Sequence, residues 1–291
     1  MSSELIDAHQ HVWLYSQHQY SWITPDIIPL LGHDYRQSDI AEIAKKIGIT
    51  GTVYIQAADT YEDTFAMLDS AQHSSSIVGI VGWVPLHRTS EAVAALDLYR
   101  KNLLFKGVRN LTHDYGNPVY ESDDRWILRP SVVQTLREVA ARNMTLDYVA
   151  TKPEHVVSIS LVAEQIPDLK IVVDHFAKPD IKNHQWEDWL AAMQSLAKHQ
   201  NVFTKFSGLN VLCDWEKWTI EDWRPYLMAM LETFTSERMM TGGDWPFSSM
   251  ANDFETVWNA QLALIAELPE LDQENIKFRT AQKFYSLGEN K

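Results

Sequence analysis

Eight times along this chain a short, apolar, β-branched run is followed by a stretch with helical periodicity, and this alternation limits the fold more than any single motif. The runs fall at residues 5–9, 52–56, 78–84, 106–109, 145–148, 170–174, 202–207 and 238–241. Between the first two, Ile40, Ile43, Ala44 and Ile47 recur at i, i+3, i+4 and i+7. Asp39-x-x-Glu42 reads as the capping box that opens this helix, and Gly48 stops it. Pro130 and Pro153 read as first-turn prolines of later helices. Repeated strand–helix units imply parallel strands joined by helical crossovers. A doubly wound open sheet also alternates, but it usually carries a glycine-rich phosphate loop after its first strand. Here the first strand runs into His9-Gln10-His11-Val12-Trp13, with no glycine. The expected fold is therefore α/β, a (β/α)8 TIM barrel, forming one domain over residues 1–291. No low-complexity linker or 20–50-residue repeat divides it.

The formal net charge of −14 and the lack of any Lys/Arg cluster argue against nucleic acid as a partner. The amino terminus lacks the charged-then-apolar pattern of a signal peptide. The longest apolar run, residues 77–86, contains Gly and Pro and is too short to span a bilayer. No membrane association is expected, and the expected location is cytoplasmic. The single cysteine, Cys213, cannot close an internal disulfide and suits a reducing compartment. No histidine stands near it in sequence to activate it as a nucleophile. The expected partner is a small-molecule substrate, bound by a monomer or homodimer.

Chemistry concentrates at strand ends. His9 and His11 are two residues apart on the first strand, so both side chains face one way and two imidazoles converge. With eleven histidines in the chain, such a pair arises readily by chance, and the motif alone is weak. Two further segments strengthen it. KIVVDHFAKP ends the sixth strand with Asp174 and His175, and RMMTGGDWPFS places Asp244 just after the eighth. In a barrel all three groups meet at the C-terminal mouth, where barrel active sites lie. Long connections at about residues 12–36, 110–129 and 208–221 overhang the same face.

The segments IDAHQHVW, GTVYIQA, IVGIVGWVPL, FKGVRN, WILRP, VVDHFAKPDI, KFSGL, TGGDWPFS and TAQKFYSL run in order from one terminus to the other. In them the sequence resembles the amidohydrolase superfamily, specifically its branch of sugar lactonases and pyrone-dicarboxylate lactonases. The resemblance implies that His9, His11, His175 and Asp244 form the catalytic set and hold one divalent metal, zinc being the expected ion. Superfamily members with two metals use a further His on strand five. This chain has Leu146-Asp147-Tyr148 there, which argues against a binuclear site. The branch also includes members that hydrolyse without a tightly held metal, so metal-independent activity is a second expectation. Relatives often read Gly-Val-Arg-His where this chain has Gly107-Val108-Arg109-Asn110, and Asn110 cannot act as a general acid near neutral pH.

The expected reaction is hydrolysis of a carboxylic ester, most specifically a sugar-acid lactone. Asp244 would take the proton of the attacking water, while the histidines polarise the carbonyl directly or through a metal. Asp7 and Asp174 adjoin the histidines and would orient them. Arg109 and Lys205 would bind substrate oxygens, or else pair with Asp7 or Asp174. Gln56 would bind a hydroxyl, and Trp13 and Trp245 would wall the pocket. Trp126, Trp215 and Trp218 would form a lid, and Met67, Met228, Met230 and Phe284 would lie in the core. The alternatives are a decarboxylase or other carbon–carbon lyase of the same superfamily, and a non-catalytic small-molecule-binding barrel.

Overall fold

The computed structural model describes residues 4–111 and 123–288. Eight parallel strands are hydrogen-bonded in sequence order: β1 (Ile6–Gln10), β2 (Gly51–Ile55), β3 (Ile77–Gly82), β4 (Phe105–Asn110), β5 (Thr145–Tyr148), β6 (Lys170–Val173), β7 (Val202–Phe206) and β8 (Met239–Thr241). The segment after β8 returns to β1: Asp244 N donates to His9 O at 2.7 Å, and His11 N donates to Trp245 O at 2.7 Å. The sheet thereby closes into the expected barrel. Each strand leads to a covering helix: α1 (Gln37–Ile47), α2 (Tyr61–Gln72), α3 (Thr89–Tyr99), α4 (Pro130–Ala141), α5 (Pro153–Gln165), α6 (Glu187–Leu196), α7 (Ile220–Phe234) and α8 (Phe254–Ile265). No helix among the described residues is long and apolar enough to cross a membrane.

Pro130 and Pro153 start their helices as expected, and Gly48 ends α1 with φ +94°. The start of α1 needs correcting. Asp39 lies inside the first turn, where its carboxylate accepts the Arg36 backbone N–H at 2.7 Å. The helix therefore begins earlier than a cap at Asp39 would place it. Met67, Met230 and Phe284 are buried, but Met228 is 44% exposed. It lies two residues from Met230, so the helical period carries it to the outer face of α7.

The strands have two different faces. Tyr54, Val108, Leu146 and Val173 point outward into the large core beneath the helices. Their neighbours Val53, Ile55, Val172, Phe203 and Met240 point inward with Ile6 and Ala8, and Phe284 and Tyr285 of the C-terminal segment close over them. This apolar floor fills the lower barrel. Above it lies a buried charged tier, Arg109, Asp147, Asp174 and Lys205, which supports the mouth.

Candidate active site

Of the three segments that deliver the site, the two that follow β6 and β8 use left-handed backbone. After β6, His175, Phe176, Ala177 and Lys178 have φ of 52°, 51°, 59° and 50°, without one glycine. Such conformations cost L-residues roughly 1–2 kcal/mol each and persist where the surroundings over-determine them. Here Lys178 N donates to His175 O at 2.8 Å, and Trp189 Nε1 donates to Phe176 O at 2.6 Å. After β8, Asp244 also adopts φ 52°. Gly242, two residues before it, is a close-approach residue, since a Cβ there would meet His9 Cβ at 2.7 Å.

These turns bring four of the expected residues together. Asp244 Oδ1 lies 3.4 Å from His11 Nε2 and 3.7 Å from His9 Nε2, and Asp244 Oδ2 lies 3.9 Å from His175 Nδ1. His9 Nε2 and His11 Nε2 are 3.1 Å apart. His11 Nδ1 faces Ile55 O at 2.8 Å, and His175 Nδ1 faces Ser207 Oγ at 2.8 Å. All four residues are buried.

Burial alone would raise the Asp244 carboxyl, but the imidazoles of His175, His11 and His9 outweigh it and hold the group well below the usual carboxylate range. Burial pushes His175 down to about 4, against the upward pull of Asp244 and Asp174. Burial and the Lys205 ammonium push His9 well below its usual value. At neutral pH the Asp244 carboxylate is thus ionised beside the uncharged imidazoles of His9 and His175. The donor set suits a divalent cation: ligand atoms of His9, His175 and Asp244 all lie within 4.8 Å of one another. The measured pairs bracket the roughly 3.4 Å between tetrahedral ligands at about 2.1 Å from zinc.

The charged tier acts from below. Lys205 Nζ contacts Asp147 Oδ2 at 2.5 Å, Asp174 Oδ1 at 3.2 Å and His9 Nδ1 at 3.0 Å. Tyr285 donates to Asp147 Oδ2 at 2.7 Å. Arg109 Nε lies 3.0 Å from Asp174 Oδ2, and Arg109 also donates to Gln56 O at 3.0 Å. Despite its burial, Asp174 is held well below the usual range by Lys205, His9 and Arg109. Its Oδ1 lies 3.3 Å from His9 Nδ1, the same ring nitrogen that faces Lys205 Nζ, so the imidazole is held between the two charged groups. Asp7 works differently. Its Oδ1 accepts the backbone N–H groups of His9, at 3.0 Å, and Gly243, at 2.8 Å, tying β1 to the Asp244 turn. Burial raises its carboxyl to about 7.

A cleft opens over Asp244, lined by His11, Trp22, Ala57, Arg109, Leu111, His175, Lys178 and Phe247. Lys205, Gln56, Trp13 and Trp245 do not line it. Lys205 forms the ion pair with Asp174 that was its alternative reading. Gln56 donates to Asp59 at 2.7 Å. Trp13 sits edge-on behind Trp22 with ring centroids 5.4 Å apart, and Trp245 packs against Tyr35. The lid expectation is also corrected: Trp126 is in the core, Trp218 stacks on Trp223, and Trp215 is on the surface. Cys213 is buried, and its thiol is pushed up to about 11. Residues 112–122 of the long connection after β4 lie outside the described residues. Sequence reasoning missed Trp22, Phe247 and Lys178. Only Trp22 carried a signal, as an aromatic residue in the long loop after β1.

Comparison with known proteins gives three kinds of match. A family model described as amidohydrolase matches residues 6–287. An L-fucono-1,5-lactonase of Burkholderia ambifaria is 32% identical over 256 residues, covering 86% of this chain and 82% of the relative. One of Burkholderia multivorans is 25% identical, covering 88% and 87%. A solved amidohydrolase from Burkholderia multivorans, with zinc bound, superposes with TM-score 0.88 at 23% identity, covering 97% of this chain and 99% of that one.

Proposed function

Since the chain belongs to the amidohydrolase family, we propose that it is a hydrolase that opens a sugar-acid lactone, with Asp244 activating the water. The observation that carries this reading is one buried carboxylate encircled by the imidazoles of His9, His11 and His175 at the barrel mouth. The identity to L-fucono-1,5-lactonase over most of the chain supports the lactone as the substrate class.

Hydrolysis needs a water made nucleophilic, a polarised carbonyl and a proton for the departing oxygen. Asp244 accepts the water's proton and later delivers it to the ring oxygen. His175, fixed by Ser207, and His9, held at Nδ1 by Lys205 with Asp174 beside it, keep the carboxylate aimed into the cleft. Arg109 lines the cleft and offers a guanidinium to substrate oxygens. The wall from Trp22 and Phe247 gives the apolar face of a sugar ring a surface to lie on. His9, His175 and Asp244, with His11 beside them, would hold one divalent cation. Three imidazoles and a carboxylate favour zinc, which when bound supplies Lewis acidity at the carbonyl. A cytoplasmic, small-molecule enzyme is the matching physiological reading.

The test is acid release from L-fucono-1,5-lactone and a panel of other aldonolactones, with and without chelator. Turnover of at least one 1,5-lactone is expected. Inertness toward the whole panel, in both metal-loaded and chelated protein, would remove the reading.

A further inference from the structure

Lys178 has no role in the account so far, although its position is unusual for a lysine. It closes the left-handed turn that begins at His175, with its own N–H on His175 O. In a three-residue turn, side chains at i and i+3 share a face. His175 and Lys178 accordingly both line the cleft, beside Asp244. The strained, glycine-free backbone therefore delivers two polar side chains to one pocket.

The cleft has two cations among the described residues, and they differ in what they have left to give. Arg109 is committed to Asp174 and to Gln56 O. The Lys178 ammonium has no carboxylate within salt-bridge distance among the described residues, and its neighbour is the Phe247 ring, 5.5 Å from Nζ to centroid. It brings three N–H donors to the cleft wall, next to the proposed base. In lactone hydrolysis the carbonyl oxygen gains negative charge as water adds.

We propose that Lys178 holds the lactone's carbonyl oxygen and neutralises the charge that grows on it, an inference that rests on the lactonase reading. As the water oxygen bonds to the carbonyl carbon, Asp244 takes the water's proton, and the carbonyl π pair moves onto the oxygen held by Lys178. Collapse restores the carbonyl, breaks the bond to the ring oxygen and returns the proton from Asp244 to that oxygen. Lys178 keeps its own protons throughout.

The experiment compares Lys178→Met and Lys178→Arg with the wild type on the lactone that the panel identifies. Both replacements keep a long stem against Phe247, and circular dichroism and metal content report fold and site integrity independently of turnover. Removing an oxyanion donor typically lowers kcat by about 100- to 1,000-fold. That loss is expected for Lys178→Met, with KM changed by only a few-fold, and Lys178→Arg should recover part of it. Lys178→Met retaining more than about a tenth of kcat, or a loss confined to KM, would overturn the proposal. A Met variant that fails to fold shifts the reading to Lys178→Gln under the same thresholds. Wild-type turnover in the same assay separates the claims. An inactive wild type overturns the lactone reading and this inference together, whereas an active wild type with an equally active Lys178→Met overturns this inference alone.

Discussion

Replacing Asp244 by Asn isolates the proposed base with little disturbance of the fold. The swap is nearly isosteric. Asp244 has φ 52°, and Asn is among the few residues that adopt this left-handed conformation readily. The amide stays within reach of His11 Nε2, 3.4 Å away, and of His9 Nε2, 3.7 Å away. What disappears is the acceptor for the water's proton. A positioned general base contributes about 100- to 10,000-fold, or roughly 3–5 kcal/mol of barrier at about 1.4 kcal/mol per tenfold. The loss should fall on kcat more than on KM, because the group acts mainly in the transition state. Asp7→Asn is the control. Asp7 Oδ1 alone accepts both backbone N–H groups, and an Asn Oδ1 can do the same. Its effect should stay within about tenfold, below the 10- to 100-fold typical of a partner that touches a metal ligand's ring. Steady-state kinetics of both variants, with circular dichroism to confirm folding, is the assay. A folded Asp244→Asn enzyme that keeps more than a tenth of wild-type kcat would show that another group activates the water, His175 being next in line.

Three further outcomes follow from the geometry. A Cβ on Gly208 would come within 2.5 Å of Asp244 Oδ2 and 3.0 Å of His175 Nδ1, at a residue with φ +61°. Gly208→Ala should cost at least about 100-fold in kcat, as large a loss as removing the base itself; near-normal kinetics would mean that Asp244 tolerates displacement. Asp63 is buried in α2 and its carboxyl is raised to about 7 by burial, despite the backbone N–H groups of Ala57 and Ala58. A raised folded-state value gives stability that is present below the ordinary carboxylate pKa and lost as pH rises through about 7, at most about 4 kcal/mol over that window. Asp63→Asn removes this loss and adds a buried amide donor costing about 1–3 kcal/mol. The variant should thus unfold at a higher temperature than wild type at pH 8 and show no advantage at pH 4; the reverse order would contradict the assignment. Elemental analysis of the purified protein should give no more than one divalent metal per chain, because the Lys205 ammonium stands among His9, Asp147 and Asp174, the second group of donors; two tightly held metals would refute this.

The barrel was legible because two periods, 2 and 3.6, alternate along the chain; strand edges differed from expectation by only one or two residues, and the cap of α1 by three. The converging residues were legible for a related reason: each stands at a strand's C-terminal end, which the barrel topology turns toward one mouth. The side chains beyond them were harder to read. Trp13 and Trp245 stand one or two places from His11 and Asp244 in sequence, yet both pack behind the cleft, away from its lining. Lys205 looked like a substrate cation, and its pairing with Asp147 crosses 58 residues that no local pattern connects. Lys178 was missed because nothing in His-Phe-Ala-Lys announces a left-handed turn, for which glycine is the usual signal. The tertiary bonds from Trp189 and within the turn impose it.

The central claim is that Asp244 directs water to the acyl carbon of a lactone, and the most direct measurement is the fate of that oxygen. Turnover of the lactone in ¹⁸O-water, followed by mass spectrometry of the product acid, should show one ¹⁸O atom, located in the carboxylate, with no carbon dioxide released. Label in the ring-derived hydroxyl, or release of carbon dioxide, would contradict the account.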